Sequence, residues 1–222
     1  MRSRCGLAVG VLVVMALAAC QGEEVPAETT VPADLAPEEV VNQLLEAVLA
    51  GRFEETSALT DQRQAGLLAL AEGADVNEVV QALDEDPGGV AANFWSGFAQ
   101  TLDPSFTLEE ASLEAGDTVR RDGESFVAVG VAGPEGEERV FYLRRDGTWR
   151  VDLMATFAPV VAERLTPRVE SLLTSANPDA SRVVGMLRRS IPSLRLAADD
   201  QGLEASVHQS LLALIERITR AG

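Results

Sequence analysis

The chain has 222 residues, 46% of them hydrophobic, and a formal net charge of −17 at pH 7. That length and apolar content suit one domain with a real core, or a domain with an appendage. Bulk electrostatics argue against nucleic acid or an anionic membrane face as a partner, and with cysteines only at Cys5 and Cys20 the body of the protein has no disulfide, zinc-ligand spacing or thiol nucleophile.

Arg2 and Arg4 precede a 14-residue apolar run, Gly6 to Ala19. A spanning helix needs about 20 apolar residues, so the run has the layout of a secretory signal peptide. It ends in Leu17-Ala18-Ala19-Cys20, which resembles the lipobox of bacterial lipoproteins. The resemblance implies that residues 1–19 are removed and that Cys20 becomes a lipidated N-terminus carrying a diacylglycerol and often an amide-linked chain. More than one chain makes a stable anchor, which places the protein on the extracytoplasmic face of the cell membrane. Residues 20–36 follow as a tether. Pro26, Pro32, several acids and almost no large apolar residues cannot offset the entropy of ordering.

Pro37 with Glu38 and Glu39 opens a helix whose stripe is Val40, Val41, Leu44, Leu45, Val48 and Leu49, stopped at Gly51. Arg52 to Leu59 is expected to form a second, short helix. Thr60 is expected to cap a third, and Asp75 with Glu78 has capping-box spacing for a fourth. Asp84 to Gly89 is read as a solvated acidic loop rather than a calcium loop, because the 12-residue ligand spacing is missing. Val90, Phe94, Trp95, Phe98 and Leu102 then form the most aromatic stripe, read as core.

Beyond Pro104, strand composition covers Phe106 to Leu113, Asp117 to Arg121, Phe126 to Ala132, and Val140 to Met154 as a hairpin. Asp122-Gly123 and Pro134-Glu135-Gly136 supply turns, and the short connections predict an antiparallel meander. A two-residue turn at Asp146-Gly147 sets Arg144 opposite Trp149, Tyr142 opposite Val151 and Phe141 opposite Asp152.

Several helices, then Ala50-Gly51-Arg52-Phe53-Glu54, then a meander closing on Asp146-Gly147-Thr148-Trp149-Arg150-Val151-Asp152 resemble the NTF2-like, or cystatin-like, α+β cone found in small actinobacterial lipoproteins. The resemblance covers residues 37–157 and implies N-terminal helices packed on a curved antiparallel sheet. The helices between residues 60 and 102 are a longer insertion than that pattern has. Residues 158–222 read as a C-terminal helical extension, with helix starts at Thr166-Pro167 and Asn177-Pro178, a break at Ile191-Pro192, and a last amphipathic helix from Leu203 to Ile218.

The residues point to no catalytic, cofactor-binding or metal-binding set. His208 is the one histidine and has no motif around it. Isomerase-like members of the cone pair a pocket Asp with a Tyr or acid. Tyr142 and Asp152 are the nearest candidates here, and the expected register sends them to opposite faces. Arg120, Arg121, Arg139, Arg144, Arg145 and Arg150 crowd the sheet, either as an anion-binding patch or in cross-strand pairs with acids such as Glu124. The expected function is a non-enzymatic, lipid-anchored envelope protein that binds a small hydrophobic ligand or another envelope protein. The alternatives are an isomerase- or hydratase-like enzyme, or a structural protein dimerising through its C-terminal helices.

Overall fold

Helix α1 (Pro37–Leu49) begins where proline costs no hydrogen bond, and the Glu39 carboxylate accepts the free N–H of Ala36 at 3.0 Å. Gly51, at φ 70°, ends it as expected, with the Arg52 N–H returning to the Ala47 carbonyl. The structure is a computed structural model that describes residues 35–104, 106–133, 138–200 and 202–220. Cys20, the tether and the Pro134-Glu135-Gly136 turn lie outside those residues.

A 3-10 turn over Glu55–Leu59 leads to α2 (Gln62–Ala71), α3 (Val76–Glu85) and α4 (Pro87–Ala99). Asp61, not Thr60, caps α2, because the Thr60 hydroxyl is committed to the Thr56 carbonyl at 2.7 Å. The acidic loop is shorter than expected. Asp86 accepts the Gly89 N–H at 2.8 Å, so Asp86-Pro87 is the cap and first turn of α4.

The sheet is antiparallel, open and five-stranded: β1 (Ser112–Ala115), β2 (Val119–Arg121), β3 (Glu124–Ala132), β4 (Glu138–Asp146) and β5 (Thr148–Val151). Strands β1 and β2 both pair with β3, so they form one edge interrupted at residues 116–118. The two-residue turn of positive φ lies at Asp122-Gly123, at 50° and 89°. At the second Asp-Gly only Gly147 has positive φ, and Asp146 pairs with Thr148.

That difference slips the expected hairpin register by one residue and exchanges its faces. Leu143 lies opposite Val151 and Arg145 opposite Trp149, where its guanidinium sits 5.6 Å from the ring centroid. The core face is therefore Val127, Val129, Val131, Phe141, Leu143 and Val151, all buried. Tyr142 and Arg144 are on the other face.

Helix α5 (Leu153–Thr174) starts where the last strand was expected to continue, with Asp152 as its cap. It runs through both Pro159, where the sequence suggests a break after the last strand, and Pro167, expected in the first turn of a new helix. Proline in a helix interior costs about 3 kcal/mol. Burying Val161, Leu165, Val169 and Leu172 at about 1.5–3 kcal/mol each outweighs that. Helices α6 (Pro178–Arg189), α7 (Ile191–Ala198) and α8 (Ala205–Arg220) follow. Asn177 caps α6, while the break at Ile191-Pro192 opens a further helix. The stripe of α8, Leu211, Leu214 and Ile218, is fully buried and shares one core with α2, α5 and the sheet. Among the described residues no helix is long and apolar enough to cross a membrane.

Candidate functional site

Small residues on facing helices leave a groove. Ala65 and Ala69 on α2, Ala82 on α3 and Gly97 on α4 stand where larger side chains would close the space between these helices and α5. The result is an apolar cleft of about 980 Å³ walled by Leu68, Val79, Val90, Phe94, Phe98 and Phe157. The volume is at the upper end of the range for small-molecule sites. A Cβ added at Gly97 meets nothing within 4 Å. Val160, at the mouth, is 70% exposed.

The aromatic stripe of α4 thus serves two purposes. Trp95 is fully buried, and its indole N–H donates to the Thr60 hydroxyl at 3.0 Å. Around it, Phe94, Phe98 and Phe157 make edge contacts with ring centroids 5.2, 5.1 and 6.1 Å away. These three rings form the inner wall of the cleft. The rim is charged. Arg164 pairs with Glu72 at 2.8 Å, and Arg139 lies 5.7 Å from the Phe98 centroid. The stripe was legible as core, but the alanine and glycine positions that open the groove give no signal until the helices are placed side by side.

The corrected register joins Tyr142 and Asp152 through the backbone, while their side chains keep different partners. The Asp152 N–H donates to the Tyr142 carbonyl at 2.8 Å. The Asp152 carboxylate is 1% exposed as a residue and saturated with donors. It accepts the Ala155 N–H at 2.8 Å, the Ser193 hydroxyl at 2.7 Å and the Gln64 amide at 3.1 Å, with Arg144 Nε 3.5 Å away. Gln64 in turn accepts the Met154 N–H at 3.1 Å. Burial pushes the carboxyl pKa up, against the pull of Arg144 and the three donors. Arg144 also meets Asp61 at 2.6 Å and Glu124 at 3.2 Å. Burial acts to lower its pKa, but its three carboxylates more than offset that and raise it. Burial, and then the charge of Asp200, raise the Tyr142 phenol, which packs with Phe126, Ala155 and Leu196.

This network ties α2, β4, α5 and α7 at one point. It spends the lone pairs of Asp152 on structure, so the carboxylate is poorly placed to act as a base. His208 is half-buried, with Nδ1 2.9 Å from the Ala198 carbonyl, and joins α8 to the end of α7. Cys20, the expected lipidation site, lies outside the described residues.

A scan against protein-family models and searches of curated proteins and solved structures find no match for this chain.

Proposed function

We propose that the chain is a non-enzymatic envelope protein, held at the extracytoplasmic face of the membrane by lipid on Cys20, whose helical cleft binds a small hydrophobic ligand. The apolar cleft between α2, α3, α4 and α5 carries the reading. Its aromatic inner wall offers dispersion and apolar area, while Arg139 and Arg164 at the rim suit a ligand with one polar end. The same reading keeps the NTF2-like relationship as a proposal, supported by α1 packed across the inner face of the meander. The face where a cone enzyme would hold its pocket is filled by Leu44, Trp95, Phe141 and Leu143, all essentially fully buried. That filling favours binding over isomerase or hydratase chemistry.

The ligand is tested on the full chain in detergent, in a Trp149→Phe background, because Trp95 is then the one tryptophan. Titration with a long-chain fatty acid should change Trp95 emission saturably, and mass spectrometry of protein from native membranes should show a bound lipophile. No emission change across lipophiles, with an empty spectrum, would remove the ligand and leave a protein partner as the better reading. For the anchor, Cys20→Ala should move the protein out of the membrane fraction; unchanged retention would sink the lipobox assignment.

A further inference from the structure

A second cleft, of about 650 Å³, lies on the other side of α2, between its first turn, the β2–β3 turn, the end of β4 and the α6–α7 junction. It is lined by Arg63, Arg120, Arg144, Arg145, Arg188 and Arg189, against the carboxylates Asp61, Glu124 and Asp146. In a chain of net charge −17 this is a pronounced local reversal of sign. The six guanidinium groups come from α2, β2, β4 and α6, so the fold gathers them and the sequence does not. Arg144 is neutralised by its own carboxylates, and Arg145 is held over Trp149. Arg63, Arg120 and Arg189 form no ion pair with any described residue, and all three are exposed. Their planar forks keep donors free for a bidentate acceptor.

The α6–α7 junction closes one side of the cleft. Ser190 and Pro192, at the start of α7, line it. The Ser190 hydroxyl turns back to the Met186 carbonyl at 3.2 Å, so the first turn of α7 has no side-chain cap. Ser190 also closes α6, so the negative end of that helix meets the positive end of α7 here and the cleft's charge rests on the arginines. A long polyanion is disfavoured by the net charge of −17 and by Asp61, Glu124 and Asp146 in the cleft itself. A single carboxylate would engage only one fork. A phosphate group, with three terminal oxygens, matches several forks at once.

We propose that this cleft binds the phosphate group of a small ligand, supplied as a soluble phosphate ester or as a phospholipid headgroup. The site is independent of the apolar cleft, since Gln64 and Leu67 of α2 line it while Ala65, Leu68 and Ala69 line the other.

Two arms separate the sources. The full chain in detergent is titrated calorimetrically with inorganic phosphate and glycerol 3-phosphate at low salt. The full chain in phosphatidylcholine nanodiscs, with and without phosphatidic acid, is followed by hydrogen exchange over residues 186–192. Saturable binding or new protection is expected in at least one arm, and the responding arm names the source. The double variant Arg120→Gln/Arg189→Gln should weaken it at least tenfold with unchanged thermal stability, because neither side chain holds an ion pair. Arg63→Gln should weaken it separately. No saturable response in either arm, or an equal response from the double variant, would overturn the proposal.

Discussion

Arg144 and Asp152 stand 3.5 Å apart, Nε to Oδ2, one at the rim of the sheet and the other beneath it as the buried cap of α5. The guanidinium keeps partial access to solvent at 19% exposure, while the carboxylate has none. Asp152 thus depends on its neighbours for all its compensation, and Arg144 does not depend on Asp152 alone.

Asp152→Asn should therefore destabilise the fold by about 2–4 kcal/mol in urea unfolding: the amide oxygen can keep the Ala155 cap, but an NH2 replaces Oδ2 against the Ser193 and Gln64 donors and Arg144. The cost should vary with pH. The folded-state pKa lies above the ordinary carboxylate value of about 4, so the folded protein takes up a proton that the unfolded chain does not. The associated stability is fully present below pH ~4 and is lost as pH rises through the raised value. The stability of wild type relative to Asp152→Asn should thus grow as pH is lowered from neutral toward 4. A difference independent of pH over that range would show that Asp152 has an ordinary pKa.

Thr60→Val tests the second buried polar chain. Thr60 accepts from Trp95 and donates to the Thr56 carbonyl, and valine keeps the shape but does neither. Leaving the indole N–H unpaired in the core should cost about 1–3 kcal/mol. The red edge of Trp95 absorption and its emission maximum, read in the Trp149→Phe background, should shift as the hydrogen bond disappears.

How far the sequence showed these arrangements depends on the distance over which each is determined. The stripes of α1 and α8, the caps Asp75 and Asn177 and the Gly51 stop are local, and each follows from side chains within one turn. The hairpin failed at a single residue. The same Asp-Gly pair makes a two-residue turn at Asp122 and a different one at Asp146. What separates them is the fit of Leu143 and Val151 into the core, which no dipeptide encodes. The continuity of α5 through two prolines is likewise a tertiary result. The six cleft arginines are spread from Arg63 to Arg189. Only Arg120, Arg144 and Arg145 were visible as a group, because only they share the sheet.

Gly123→Ala should cost about 1–2 kcal/mol, the penalty of placing a Cβ at positive φ. An added Cβ there meets nothing within 4 Å, so the loss is purely conformational. Gly123→Asn should recover part of it, since Asn tolerates that region better. Equal stability of Ala and wild type by thermal denaturation would contradict the type I′ turn.

A chain ending at residue 157 should not fold. The cut removes most of α5, whose Val161, Ala162, Leu165 and Val169 are buried at 5% exposure or less. Without them α2 loses the helix it packs on, and the loss of Leu196 with α7 uncovers Phe126. The expected readout is a loss of the cooperative thermal transition and binding of a hydrophobic dye. A cooperative, dye-silent fragment would show that residues 37–157 form a core independent of the C-terminal helices.

Gly97→Leu separates the cleft from the fold. Helical glycine costs about 0.8–1 kcal/mol relative to a good helix former, and the added side chain enters open space. The variant should therefore be more stable than wild type by up to about 1 kcal/mol, despite sitting on the cleft wall. If a hydrophobic ligand uses the cleft, the leucine occupies its volume next to Phe94 and Phe98, and fatty acid titration should lose its Trp95 response. Higher stability with intact binding would place the ligand elsewhere. Lower stability would mean that the space at Gly97 is closed, and with it the groove that the small residues of α2, α3 and α4 leave open.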